Sequence, residues 1–322
     1  MNALFITHAG ERIGGGHLAR CFALSQALEE HSITSSWLAN PACKQWIGNF
    51  GIRNVTFLEN LFDAKALKKI DIPELVVLDS YEADEPLYSI LAARSHLVAI
   101  EDFPRANADK YASCLVNYSF FAAHAYGCRH ASCRYLLGPR YALLRKDYWD
   151  LPTATGDYIL FIAGASDVLN ASGDIASLWR EEWPPLCIVQ GGFVPPAFRE
   201  TVKGIVRRRK NITLLVAPDN FANLVAGAGT VFCTASVTAY EALSLKKNVV
   251  LFDVVENQKG MGELLADIKA AYYLGHWSNV DRMKIQTALD FQADSSTLDG
   301  LVAPSGARNC AAGVIEWVMG YD

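Results

Sequence analysis

The chain has 322 residues, of which 51% are hydrophobic and 20% charged, with a net charge of −5 and a pI near 5.8. That balance excludes a disordered chain, offers no bulk attraction to nucleic acid or an anionic membrane, and leaves room for two domains with full cores. The eight cysteines, Cys21, Cys43, Cys114, Cys128, Cys133, Cys187, Cys233 and Cys310, fall mostly inside apolar runs with no Cys-x-x-Cys pair, and read as small buried hydrophobes in a reducing compartment. Cys128, His130 and Cys133 read as a loop rather than a metal site, so no metal and no other cofactor is expected. No basic region precedes the first apolar stretch, and no apolar run approaches the roughly 18 residues of a membrane span. The expectation is a soluble, cytoplasmic protein with no nucleic-acid partner and no stable membrane insertion.

In chain order, a first strand, Ala3 to Thr7, leads into the stretch Arg12-Ile13-Gly14-Gly15-Gly16-His17-Leu18-Ala19-Arg20. The apolar pattern Leu18, Cys21, Phe22, Leu24, Ser25, Leu28 then predicts a helix. Three glycines and a histidine thus stand where a strand turns into a helix, where close backbone approach and the helix N-terminus favour an anion. No Gly-Lys-Ser/Thr follows, so this is not a Walker loop, and Ala19 stands at the third glycine position of a dinucleotide fingerprint. Strands are predicted at Thr34 to Leu38, Asn54 to Leu58 and Leu75 to Leu78, then a helix from Asp84 to Arg94. Further strands follow at Leu97 to Ile100, Leu115 to Asn117 and Tyr135 to Leu137. Leu78-Asp79-Ser80-Tyr81 and Ile100-Glu101-Asp102-Phe103 place polar groups just past strand ends, where open α/β sheets bind ligands.

Lys146 to Gly156 interrupts the alternation and reads as a linker. A second series begins with a strand at Tyr158 to Ala163, a loop over Gly164 to Asn170 and a strand at Leu186 to Val189. Gln190-Gly191-Gly192 is a loop, Pro196 to Arg208 a helix and Ile212 to Val216 a strand; the run Arg207 to Lys210 reads as a solvated helix end. Thr230 to Cys233 is a strand, Thr234-Ala235-Ser236 a turn and Val237 to Leu245 a helix carrying Glu241. Its hydroxyl residues Thr234, Ser236 and Thr238 can cap it or donate to a phosphate. The strand Asn248 to Phe252, the segment Asp253 to Gln258 and a final helix from Ala307 to Met319 complete the chain. The expected fold is α/β: two Rossmann-like domains over residues 1–148 and 157–306, with a ligand cleft between them, and a helix at 307–322 crossing back to the first.

Two such halves, a glycine-rich loop ending in histidine and a hydroxyl-plus-glutamate helix look like the GT-B architecture. The stretches Arg12 to Cys21, Leu78-Asp79-Ser80-Tyr81, Leu136-Leu-Gly-Pro-Arg-Tyr-Ala-Leu-Leu-Arg145 and Glu256-Asn257-Gln258 more specifically resemble the UDP-sugar hydrolases of pseudaminic acid biosynthesis, relatives of the MurG glycosyltransferases. The resemblance departs at Ala163-Gly164-Ala165-Ser166-Asp167, where relatives carry Gly-Gly-Ser/Thr-Asp, and at Thr234-Ala235-Ser236, where many have a diglycine. It implies a metal-independent enzyme that cleaves a UDP-linked 2,4-diacetamido-2,4,6-trideoxyhexose at the anomeric carbon, giving UDP and the free sugar.

UDP is a good leaving group once its charge is stabilised, so one base and one anion site suffice. Imidazole ionises nearest neutrality, and His17 is the expected base. Gly14, Gly15, Gly16 and the Ser236 helix terminus would hold the pyrophosphate, with Arg20 and Thr238 also binding substrate. By resemblance, Glu241 would bind the ribose, Tyr81 and Asn257 would position the sugar and act with His17, and Gln258 would assist. The alternative is a GT-B glycosyltransferase that uses the same UDP-sugar and the same histidine on an acceptor hydroxyl.

Overall fold

In a computed structural model, the protein is described at residues 1–10, 14–63, 67, 70–127, 129–154 and 156–320. Arg12, Ile13 and Cys128 lie outside the described residues, as does the side chain of Asn257. The chain divides into two compact units, Met1–Trp149 with Ser305–Asp322, and Asp150–Pro304.

The first unit begins with β1 (Asn2–Thr7), α1 (Gly16–Glu29), β2 (Thr34–Ala39), α2 (Lys44–Phe50), β3 (Val55–Phe57) and β4 (Leu75–Asp79). It continues with α3 (Glu85–Ala92), β5 (His96–Ile100), α4 (Ala108–Tyr111), β6 (Cys114–Asn117), α5 (Ala122–Ala125) and β7 (Arg134–Leu137). All pairings are parallel, in the order β3-β2-β1-β4-β5-β6-β7. Every residue of β4 is buried, as the near-continuous apolar runs of a sheet covered on both faces require. The helix expected over Asp84 to Arg94 is shorter at both ends: Asp84 accepts from the Leu87 N–H at 3.0 Å as its N-cap. The short α2 escapes the sequence pattern and ends at Gly51, whose φ of +66° suits glycine.

The C-terminal helix, Gly306–Met319, packs within this first unit. A Cβ on Gly306 would stand 2.4 Å from the Ala142 carbonyl oxygen, and one on Gly313 2.8 Å from Leu136 Cδ2. Asn309 Nδ2 donates to the Arg140 carbonyl at 2.8 Å, and Arg308 reaches both carboxylate oxygens of Glu30, the C-cap of α1, at 2.8 and 2.9 Å. Residues of the long 136–145 motif thus seat the last helix, which gives that motif a packing role.

The second unit holds β8 (Ile159–Ile162), α6 (Ala171–Leu178), β9 (Leu186–Gln190), α7 (Pro196–Val206), β10 (Ile212–Val216), α8 (Phe221–Gly227) and β11 (Thr230–Thr234). Then come α9 (Val237–Ser244), β12 (Asn248–Asp253), α10 (Lys259–Asp267), β13 (Tyr272–His276), α11 (Arg282–Leu289) and α12 (Ser295–Leu298). Its parallel sheet runs β10-β9-β8-β11-β12-β13, the doubly wound order, with the direction of winding reversing between β8 and β11. Phe161 and Phe252 stack at 5.4 Å under Trp277 in the core, where each such side chain contributes about 1.5–3 kcal/mol by burial. Buried Lys247 donates its ammonium to the carbonyls of Ala154, Ala226 and Ala228, tying the start of the unit to the α8–β11 connection. Among the described residues no helix is long and apolar enough to cross a membrane.

Candidate active site

In the first sheet the winding reverses between β1 and β4, which pair from Ala3–Leu75 to Thr7–Asp79. The chain leaving β1 and the chain leaving β4 therefore diverge, and their C-terminal ends open the crevice in which such sheets bind ligands. His8 follows β1; Ser80 and Tyr81 follow β4; Glu101 and Asp102 follow β5. The loop after β1 is closed by reciprocal backbone bonds, Gly14 N–H to Gly10 O at 2.7 Å and Gly10 N–H to Gly14 O at 3.2 Å. Gly14 sits at φ +74°, and its amide is spent on that closure, so it is not the ready phosphate donor the glycine run suggests. A Cβ on Gly15 would fall 1.5 Å from Trp46 Cζ3, so this glycine is required by close packing. Among the described residues no side chain caps α1, and no acidic residue stands in its first turn.

His17, on the first turn of α1, points its Nδ1 at Asp79 Oδ1, 2.6 Å away. Arg20, one turn further, meets the same carboxylate with Nε at 2.5 Å from Oδ2 and Nη2 at 2.7 Å from Oδ1. Its Nη1 donates to Asp102 Oδ1 at 2.5 Å, and the Tyr81 hydroxyl donates to the other oxygen of Asp102. Asp79 is fully buried. Burial works to raise its carboxyl pKa, but the Arg20 guanidinium and the His17 imidazole outweigh that and hold it well below the usual carboxylate range. An ionised Asp79 only accepts, so the proton between it and His17 belongs to Nδ1; Arg20 Nη2, 3.1 Å from Nδ1, gives its hydrogen to Asp79 instead. This tautomer leaves the Nε2 lone pair of neutral His17 to take a proton, with Asp79 placed to stabilise the imidazolium that forms.

Arg20 is buried and bridges two carboxylates, which fixes His17 and Tyr81 in one charge network. All three guanidinium nitrogens face Asp79, Asp102 or His17, an internal role beside the substrate contact the sequence expects of Arg20. The Tyr81 ring stands edge-on to His17 at 4.5 Å and is half exposed. Arg105 lies over that ring at 5.4 Å and donates to the Ser80 carbonyl at 3.1 Å. Behind it, buried Glu101 accepts from the Tyr88 hydroxyl, and burial pushes its carboxyl up to about 7 against the pull of Tyr88 and Arg105.

In the second unit Ser236 is the N-cap residue of α9, yet its side chain makes no cap bond; its Oγ lies 3.0 Å from Thr234 Oγ1. Thr238 is half-buried and Glu241 buried on the same helix. The Gln258 side-chain carbonyl accepts from the Val254 N–H at 3.0 Å and so braces the turn after β12. Tyr273 donates to buried Asp253 at the end of β12.

The structure thus brings His17, Arg20 and Tyr81 together within one unit, and places Ser236, Thr238, Glu241 and Gln258 in the other. Asp79 and Asp102 do not figure among the sequence's site residues, although both stand at strand ends marked there as polar. His8 carries no sequence signal beyond its place after an apolar strand.

No family model matches the chain, and no curated protein matches it. It is similar to the solved structure of MurG from Acinetobacter baumannii, with 14% identity over 99% of each chain and a TM-score of 0.63. It is likewise similar to CalG4, the calicheamicin glycosyltransferase (14% identity, 99% and 97% of the two chains, TM-score 0.62). A third similar structure is a UDP-GlcNAc 2-epimerase from Neisseria meningitidis bound to UDP-GlcNAc (11% identity, 99% and 100%, TM-score 0.59). These likenesses show the fold, two Rossmann-like α/β domains of the GT-B kind.

Proposed function

We propose that this protein is an enzyme acting on a UDP-linked sugar, in which His17 serves as general base and UDP is displaced from the anomeric carbon. The observation that carries this reading is the 2.6 Å contact between His17 Nδ1 and a buried, ionised Asp79 at the reversal point of the first sheet. A base so oriented can take the proton of an incoming hydroxyl as it attacks, while UDP leaves with the bonding electrons. Proton removal of this kind contributes about 10²–10⁴-fold. In the second unit, the Ser236 terminus of α9 and Glu241 are assigned to the diphosphate and the ribose. Tyr81 is assigned to positioning the sugar, and so is Asn257 on the strength of its motif.

The similar structures, with two glycosyltransferases or their relatives and an epimerase among them, favour transfer to an acceptor hydroxyl over hydrolysis. Hydrolysis of a UDP-linked 2,4-diacetamido-2,4,6-trideoxyhexose, the step of pseudaminic acid biosynthesis, keeps one specific support. The Arg12–Cys21 and Leu78–Tyr81 stretches resemble that family, and the second of them carries Asp79 and Tyr81 into the His17 network. The base is the same in both; only the nucleophile differs.

The test incubates the protein with a panel of UDP-N-acetyl- and UDP-diacetamido sugars in ¹⁸O water without acceptor, following UDP release and product mass. Free sugar carrying ¹⁸O establishes hydrolysis. Tight UDP-sugar binding with no release directs the search to acceptors, an isomerised UDP-sugar identifies epimerase chemistry, and no binding of UDP or any UDP-sugar overturns the proposal. His17→Phe should abolish turnover and leave UDP binding within a few-fold.

A further inference from the structure

His8, the first residue past β1, is 2% exposed, and its Nε2 is buried without a hydrogen-bond partner among the described residues. Its ring centroid lies 5.0 Å from that of His17, and on another side Phe62 meets it edge-on at 5.0 Å. Its Nδ1 is 3.8 Å from Glu82 Oε1, too long for a hydrogen bond but close enough for the carboxylate to favour the proton on Nδ1. Nε2 is then an acceptor with no donor among the described residues. A buried polar atom left unpaired is costly, so each one in a native structure calls for an explanation, and a bound molecule that completes it is one.

We propose that His8 is a binding residue for the sugar of the substrate, its Nε2 accepting a hydrogen from a neutral hydroxyl or acylamino N–H beside the reacting carbon. The inference rests on the reading of the protein as a UDP-sugar enzyme and deepens it by naming a group that discriminates among sugars. The chemistry fits a neutral partner. Burial and the neighbouring His17 push the His8 imidazole down to about 4, so at neutral pH it carries no charge to offer a diphosphate. An uncharged acceptor next to the base reads a hydroxyl or amide hydrogen instead. Its place in the crevice is set by the strand pairing that puts Thr7 beside Asp79, the partner of His17.

The experiment compares wild type, His8→Phe and His8→Gln by calorimetry with UDP and with UDP-N-acetylglucosamine or the tightest-binding member of the sugar panel, alongside thermal melting. His8→Phe should bind UDP within about twofold of wild type and the UDP-sugar about tenfold or more weakly, while melting at the same or a higher temperature because an unpaired polar atom has gone. His8→Gln, which keeps an acceptor on its side-chain carbonyl, should recover part of the lost sugar affinity. Equal UDP-sugar to UDP affinity ratios in wild type and His8→Phe would overturn the inference alone, and would do so whether or not the variant is less stable. Failure of wild type to bind either ligand would remove the UDP-sugar reading, and this inference with it.

Discussion

His17 and Asp79, separated by 62 positions in the chain, share a 2.6 Å contact in which a buried carboxylate holds the imidazole by Nδ1. Loss of the charge should cost orientation and tautomer more than binding. Asp79→Asn is expected to lower kcat by about 10²–10⁴-fold while UDP affinity stays within a few-fold, in steady-state kinetics with calorimetric titration. An Asp79→Asn enzyme as fast as wild type would remove the dyad from the mechanism.

Arg20 joins Asp79 to Asp102 with almost no exposure. Taking away the guanidinium leaves a buried carboxylate without its main partner, so Arg20→Ala should unfold about 3–5 kcal/mol more easily in denaturant. Arg20→Lys keeps the charge but reaches only one carboxylate, and an intermediate loss is expected. A surface-like effect below about 0.5 kcal/mol would contradict the bridging geometry.

At Gly15 the neighbour is the Trp46 ring, where an added methyl would overlap Cζ3. Gly15→Ala should destabilise by about 1–3 kcal/mol through overpacking. In the double variant with Trp46→Ala the cost should shrink, and strict additivity of the two losses would show that the ring is not the obstacle.

Glu101 is raised by burial to about 7 from an ordinary 4.5. Between those values the folded state holds a proton that the unfolded chain has released, so this group lowers stability as pH rises from 4.5 to about 7, by an amount on the order of 3 kcal/mol. Glu101→Gln should therefore gain stability over wild type at pH 8 and little or none at pH 4.5. Melting curves across that range check it; a gain equal at both ends would mean that the carboxyl does not titrate there. His8, neutral and lowered to about 4, has the opposite sign: its contribution is complete above pH 6.5 and is lost as pH falls towards 4.

Ser236 stands at the start of α9 without capping it. Ser236→Ala should hence change stability by less than about 0.5 kcal/mol, unlike the loss of a working cap. If the hydroxyl serves a diphosphate, UDP should bind the variant several-fold more weakly. Unaltered UDP affinity would move the anion site away from this residue.

The doubly wound architecture could be read in the chain because buried parallel strands leave continuous apolar runs, as at Leu75–Asp79 and Asn248–Asp253, and polar residues mark where they end. The glycine run before His17 announced a close approach, and Gly15 against Trp46 bears the mark of one. Short elements such as α2 were hidden, since one or two helical turns show too little periodicity.

By itself the sequence determined two α/β series and a histidine at the first strand-to-helix turn, for periodicity and turn chemistry are local properties. Tertiary structure alone decided that Asp79 holds that histidine, that Arg20 faces inward to two carboxylates, and that His8 carries a buried open nitrogen. Those facts depend on strand order and register, which set Thr7 beside Asp79 and bring the end of β5 to the same crevice. Parallel pairing joins segments dozens of residues apart, and the charge balance of a buried carboxylate follows only once its partners are in place.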